Sequence, residues 1–302
     1  MRSSHLIKMV APILNDKISF SLSIIPANIQ KRADRAKWAL SQPRNTVFFF
    51  TKHSTRHITP LTSFILKKKG GIICADYVDL DLSQSIKPNA DVHIASSLSQ
   101  AKRIKEILEY SKSIKKREWG GKSSQSQVFT LLHAADIRLI EFKPTIPVDK
   151  LRMAYFGAPD NCLLDNEMKA KVKIIMAGNQ AEFLAALPQF SNYNAHYCIR
   201  PSSADSDIIK PLTKGIMAAT CGAVPLLARD TPDAEELLGT DYPYYTEDQR
   251  SDSIKDVYAQ MEDDFGGKTW ECAKTAIAEL ANIISPEANA KRIEDLVKMV
   301  LQ

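Results

Sequence analysis

The chain has 302 residues, enough for two domains, and its 44% hydrophobic and 25% charged content is that of an ordinary globular protein. The net charge of +5 is unevenly divided: residues 1–150 hold 25 Lys and Arg against 12 Asp and Glu, and residues 151–302 hold 15 against 23, which points to two bodies with different partners. Gly is scarce, at eleven residues, and neither GxGxxG nor a Walker sequence occurs, so Gly-rich phosphate loops are excluded.

In chain order, "MRSSHLIKMVAPILNDK" has a basic start, but Lys8 interrupts its short apolar core, against a signal peptide. "KISFSLSII" (Lys17 to Ile25) reads as a strand and Gln30 to Leu40 as a basic helix. "TVFFF" (Thr46 to Phe50) is an apolar strand ended by "TKHSTRH", and Pro60 to Lys69 is a helix stopped by Gly70 and Gly71. Further strands are predicted at Gly71 to Asp79, Ala90 to Ser97 and Gln127 to Ala134, with a helix from Leu98 to about Arg117. Apolar runs of this length, alternating with helices, predict a parallel sheet covered by helices.

"FKPTIPV" (Phe142 to Val148) reads as a linker, and the charge changes sign there. The expected domains are therefore 1–146 and 147–302. The second half repeats the alternation. Strands are predicted at Lys150 to Gly157, Val172 to Gly178, Ala195 to Arg200 and Val224 to Ala228. Helices are predicted near Asn161 to Ala170, over "NQAEFLAALPQF", and from Lys210-Pro211 to about Gly222. A further capped helix follows Ala228, and the chain is helical from Ser253. Ser285-Pro286-Glu287 is a helix start with cap, first-turn Pro and acidic residue in order. The fold class expected is α/β, two doubly wound Rossmann-like domains facing a cleft.

In open parallel sheets ligands sit at the carboxyl ends of strands. That rule selects Arg200, Gly157 and Asn161, then His133 and Asp136, then Lys52 and His53, and Asp76 and Asp79. The helix opening at Pro211 is unusual because cations occupy its first turns. Lys210 and Lys214 are expected on one face, each costing about 0.3–1 kcal/mol against the helix dipole. A bound phosphate reverses that sign. Arg200, Lys210, Lys214, Thr213 and the amides around them form a candidate diphosphate site, and two solvated lysines on a surface helix are the plainer alternative.

The stretch "KPLTKGIMAATCGAVPLLARDTPDAEELLGTDYPY" resembles the nucleotide-sugar-binding region of GT-B glycosyltransferases of the family 4 type, where a K-P-x-x-K-x-x-x-A-x-x-x-G-x-x-P run precedes an acidic helix ending "ELLG". "LRMAYFGAPDN" resembles the opening strand and Gly loop of the same domain, and "LLHAADIRL" the last strand segment of the N-terminal domain. The resemblance implies transfer of a sugar from a nucleotide-sugar donor to a glycan or lipid-linked acceptor, retaining and without a metal or other cofactor. It implies a donor cleft at Gly157, Asn161, Asp207, Met217 and Glu236, with His133 and Asp136 on the acceptor side. His133 is equally readable as structural, and Asp136 as the partner of Arg138. One departure stands out. The usual pair of Glu, the second of which holds the ribose, falls on Ile209 and Met217; Asp205 or Asp207 is the available substitute. That loss favours a rival, a catalytically inactive module that serves as a scaffold or binds nucleotide sugar.

Three other features complete the reading. Asp76, Asp79 and Asp81 are oxygen ligands in principle for a divalent metal, but turn and cap roles are the simpler expectation, and no metal is assigned. The helix from Ala101 to Trp119 is rich in Lys and Arg and is open to two readings, a solvated face or a surface for anionic lipid. Nucleic acid is the weaker partner, since the aromatics do not interleave with the basic residues. The scattered, odd-numbered Cys74, Cys162, Cys198, Cys221 and Cys272 lack CxxC spacing and indicate a reducing compartment. No apolar run reaches the ~20 residues of a membrane span. The expectation is a cytoplasmic protein, peripheral at most to the inner membrane face.

Overall fold

The computed structural model describes residues 9–14, 18, 31–119, 126–134, 136–144, 150–201 and 207–301. The strand expected at Lys17 to Ile25, most of the Phe142 to Val148 linker and the Ser/Asp loop with Asp205 fall outside these residues. The chain divides into two compact units. Unit 1 is Met1–Leu132, Asp205–Pro211 and Asn289–Gln302; unit 2 is His133–Ala204 and Leu212–Ala288.

Unit 1 holds a parallel sheet of four strands, β1 (Val47–Thr51), β2 (Ile72–Asp76), β3 (Val92–Ala95) and β4 (Gln127–Thr130), in that spatial order. β2, β3 and β4 lie inside segments predicted from their apolar runs, and β1 runs one residue past its predicted end, to Thr51. Helix α1 (Arg32–Ser41) precedes β1, and the connections carry α2 (Pro60–Lys68), α3 (Leu82–Ser85) and α4 (Leu98–Trp119). Helix α2 starts where its signals place it, with Pro60 in the first turn and Thr59 Oγ1 accepting from the Thr62 N–H at 3.2 Å. Phe50, Leu66, Ile73, Leu82 and Ile104 form its core, and Ile209, from the returning segment, packs against them.

Unit 2 is built on β5 (Met153–Gly157), β6 (Val172–Met176), β7 (Ala195–Tyr197), β8 (Val224–Ala228) and β9 (Tyr245–Thr246), all parallel, in the order β6-β5-β7-β8-β9. The order reverses at β5: the chain goes first to one side, then crosses to β7 on the other. Its helices are α5 (Asn166–Lys171), α6 (Gln180–Ala186), α7 (Thr213–Cys221), α8 (Ala234–Leu238), α9 (Ser251–Asp263), α10 (Lys268–Ile283) and α11 (Pro286–Leu301), the last starting in unit 2 and passing into unit 1. Strand β9 has only two residues, too short for any periodicity to announce it.

Two helix starts differ from the sequence reading. Residues Pro159–Asn161 form a 3₁₀ turn, and α5 begins only at Asn166, where Asp165 accepts from the Met168 N–H at 2.8 Å. Helix α7 begins at Thr213 rather than Lys210-Pro211, because Leu212 still has ψ of 49° and turns its side chain back onto Gly215. The far end of α7 is as expected. Gly222 has φ of +75°, and the Ala223 N–H donates to the Ala218 carbonyl at 2.9 Å, the left-handed stop that Gly supplies without a Cβ penalty. At α11, Ser285 Oγ accepts from the Ala288 N–H at 3.1 Å, as its sequence predicts.

Candidate functional site

A reversal of strand order leaves a crevice outside the carboxyl ends of the two flanking strands. In unit 2 those strands are β5 and β7. Three sequence candidates gather there. Gly157 is the last residue of β5, Arg200 lies three residues past the end of β7, and Lys214 is in the first turn of α7.

Lys214 is the centre of the group. Its Nζ donates to the Phe156 carbonyl at 2.5 Å and stands 3.9 Å from the centroid of the Tyr155 ring. The amine occupies the space a side chain at residue 157 would need: a Cβ on Gly157 would lie 2.7 Å from Lys214 Nζ and 2.9 Å from Tyr155 Oη. Gly at this position is therefore a condition of the lysine's placement. Burial lowers the Lys214 pKa from 10.5 to about 8, and the charge of Arg200 pushes in the same direction. Arg200 also acts on Tyr155, so the two cations and the phenol share one electrostatic neighbourhood. Two cations therefore lie within electrostatic reach of each other, and one of them is largely desolvated. The N–H groups of the first turn of α7 add partial positive charge.

The surroundings are rigid. Tyr155 Oη donates to the Asn161 carbonyl at 2.8 Å and lies 3.2 Å from the Ala158 carbonyl, which fixes the loop after β5. Tyr197 donates to the Leu163 carbonyl. Phe156 stacks on Phe190 at 3.7 Å between centroids, with His196 4.9 Å from Phe156. His196 is fully enclosed, and burial holds its pKa down to about 3, so it is a neutral core residue. Burial likewise pushes the Cys198 and Cys162 thiols up to about 12; neither is a thiolate.

The other predicted residues have distinct places. Thr213 is half-buried at the first position of α7. Lys210 precedes the helix, so it does not share a helix face with Lys214, and it belongs to the stretch that packs with unit 1. Asp207 is in the same stretch. Its carboxylate takes Nε and Nη2 of Arg103 at 2.9 and 2.8 Å, and its carbonyl accepts from the Leu82 N–H at 3.2 Å. It anchors the returning segment to unit 1. Met217 is half-buried beside Leu139, Phe156 and Ala218. Asn161 is exposed and offers its backbone carbonyl to Tyr155. Glu236 is exposed; its neighbour Glu235 accepts from Arg229 Nη1 at 2.6 Å, and Arg229 reaches Glu247 at 2.9 Å. Asp136 caps the 3₁₀ turn Ile137–Glu141 through the Arg138 N–H at 3.0 Å and also binds the Arg138 guanidinium. His133 is half-buried at the first residue of unit 2.

Among the described residues no three His, Cys, Asp or Glu side chains gather as metal ligands would. Asp76 accepts from the Val78 N–H, Asp79 pairs with Lys52, and Asp81 caps α3 through the Ser83 N–H. No helix among these residues is long and apolar enough to cross a membrane. The sequence reading missed Tyr155 and the Phe156 carbonyl. Their signal was available in "AYFG", where an aromatic two residues before a strand-end Gly points to the same face as that Gly.

No family model and no curated protein matches the chain. Solved structures do. A glycosyltransferase from Rickettsia africae ESF-5 superposes with a TM-score of 0.55 at 9% identity, covering 97% of this chain and 88% of that one. An alpha,alpha-trehalose 6-phosphate synthase from Burkholderia multivorans superposes with a TM-score of 0.54 at 8% identity, covering 99% of this chain and 80% of that one. The likeness is one of fold. It runs over nearly the whole chain and supports a mixed α/β fold with parallel sheets. At this identity it assigns no substrate and no residue, and it does not single out the family 4 type.

Proposed function

We propose that the chain is a glycosyltransferase that takes a sugar from a nucleotide-sugar donor, with the donor diphosphate held at the carboxyl ends of β5 and β7. The observation that carries this reading is Lys214. A largely buried amine, placed by a strand-end Gly at a reversal of strand order and close to a second cation, is expensive to keep unless an anion comes to it. Transfer of the sugar leaves negative charge on the diphosphate, and Arg200, Lys214 and the amides at Thr213 onward are the donors that stabilise it. The fold shared with two proteins named for glycosyl transfer and sugar-phosphate synthesis supports the same class of reaction. No metal is required in this reading, and retention at the sugar carbon follows from the sequence resemblance.

On the acceptor side, His133 is the group proposed to approach the substrate. Asp136 orients its turn through Arg138 rather than acting on the acceptor. The acceptor is a glycan or a lipid-linked glycan, and the basic first half is the part suited to an anionic membrane surface. A thermal-shift screen against UDP, GDP, ADP and their sugars tests the donor site. The expected result is a shift with one nucleotide class, absent in Lys214→Met; no shift with any of them sinks the proposal.

A second reading rests on Ile209 and Met217. Both stand where a ribose-binding Glu pair would be, and both are spent on packing, Ile209 against the core of unit 1 and Met217 beside Leu139 and Phe156. A module that binds nucleotide sugar without transferring it fits that loss. Nucleotide binding with no turnover under any acceptor would select it.

A further inference from the structure

The carboxyl edge of the unit 1 sheet carries a second feature. Strand β1 runs into Lys52, which has φ of +49°, and the segment after β2 reaches Asp79, with φ of +57°. Lys52 Nζ meets Asp79 Oδ2 at 2.7 Å, and the two side chains are 37% and 48% exposed. Asp visits the left-handed region with some ease, but Lys does not, and Gly would take that conformation without strain. An ion pair this exposed contributes little to stability, less than a strained residue costs. The turn itself does not need the lysine side chain, since the Thr55 and Ser54 hydroxyls close it on the carbonyls of Lys52 and Thr51 at 2.7 and 2.8 Å. Stability therefore does not explain a lysine at this position.

Basic side chains accumulate beside it. Residues Lys52–His57 form a 3₁₀ turn that carries Lys52, His53, Arg56 and His57. Arg56 Nε donates to His57 Nε2 at 3.3 Å, which leaves the ring proton on Nδ1, and that atom is buried without a hydrogen-bond partner among the described residues. Burial first, then the charges of Arg56 and Arg35, hold the His57 pKa below its usual value. Lys52 and Arg56 thus bring two cationic side chains to one strand end, and Arg35 acts on the same imidazole. Facing them are Asp79, paired with Lys52, and Asp76, whose Oδ1 accepts from the Val78 N–H at 3.2 Å.

We propose that the carboxyl edge of β1 and β2 is a second anion site, which takes a phosphate group, with Lys52 and Arg56 as its contacts and Asp79 positioning Lys52. The chemistry is that of a phosphate ester, carried either by a soluble molecule or by a lipid headgroup. The site is separate from the donor site in unit 2, and the two are tested apart.

The test uses full-length protein in a Lys214→Met background, so that phosphate bound in unit 2 does not obscure the result. Binding of inorganic phosphate is followed by thermal shift at constant ionic strength with chloride as control. Sedimentation with phosphatidylglycerol vesicles, against phosphatidylcholine vesicles, covers the lipid source. Lys52→Gly is expected to melt at the parent temperature or above, because Gly relieves the strained φ, and to lose at least about ten-fold in affinity for phosphate or for the anionic vesicles. Arg56→Ala is expected to lose affinity to a similar extent. Free phosphate that competes with the vesicles identifies the headgroup phosphate as the contact. The proposal is overturned if the background protein binds neither phosphate nor anionic vesicles, or if both variants bind within two-fold of it. Nucleoside diphosphate binding retained in Lys52→Gly and lost in Lys214→Met separates this site from the donor site, so that either fails without the other.

Discussion

Replacing Lys214 by Met is predicted to make the unliganded protein more stable while removing its nucleotide binding. The amine is held with its pKa lowered from 10.5 to about 8, which corresponds to roughly 3 kcal/mol against the charged form at neutral pH. Met fills a similar volume without that charge. It also removes the donor to the Phe156 carbonyl, a loss of about 1–2 kcal/mol. The net gain is about 1–2 kcal/mol, or roughly 3–8 °C in the melting of unit 2. The pH dependence has a definite sign. The folded protein releases the Lys214 proton at lower pH than the unfolded chain does, so the destabilisation is full below about pH 8 and is relieved as pH rises towards 10.5. The stability gap between variant and parent is therefore widest at pH 7 and narrows at pH 9.5. Differential scanning calorimetry at the two pH values, with an isothermal titration of the nucleotide, measures both effects. A variant less stable than the parent at pH 7, with a gap independent of pH, refutes the claim that Lys214 is a destabilising functional cation.

Gly157→Ala places a Cβ 2.7 Å from Lys214 Nζ; the amine is displaced, and nucleotide affinity measured by calorimetry falls at least about ten-fold. Affinity for a nucleotide sugar, whose diphosphate does not titrate near neutrality, should be nearly constant below pH 7 and fall about ten-fold per pH unit well above pH 8, as binding comes to require uptake of one proton; Lys214→Arg flattens that profile. Asp207→Asn breaks the bidentate contact with Arg103 and lowers the melting temperature of unit 1, with nucleotide affinity unchanged; a weaker nucleotide affinity at equal stability would instead make Asp207 a ribose ligand.

Much of this architecture is written locally. Strand β8 occupies Val224–Ala228 in the sequence reading and in the structure alike, since an apolar run between Gly222 and Asp230 has one sensible use. Helices α2 and α11 start at their Pro residues because cap and ring act within one turn. Legibility fails where distant contacts decide. Pro211 looked like the first residue of α7, but the packing of Leu212 on Gly215 delays the helix to Thr213. Lys210 and Lys214, four apart in sequence, belong to different units. Asp207 was a candidate for the nucleotide from its position in the loop; its contact with Arg103, more than a hundred residues earlier in the chain, is not visible in any window. At the site itself the residue types were readable, Gly157, Arg200 and Lys214, while the inward turn of Lys214 onto Phe156 and Tyr155 was not. The strand order that creates the crevice depends on which strand crosses over β5, and alternation alone leaves that open.

The most direct test of the central claim is turnover. The purified protein is incubated with each nucleotide sugar and followed by phosphorus NMR for release of nucleoside diphosphate. Release is expected from the donor class that shifts the melting temperature, slow with water as acceptor, and abolished in Lys214→Met. Intact donor in every case, with no binding of any nucleotide sugar, would contradict it.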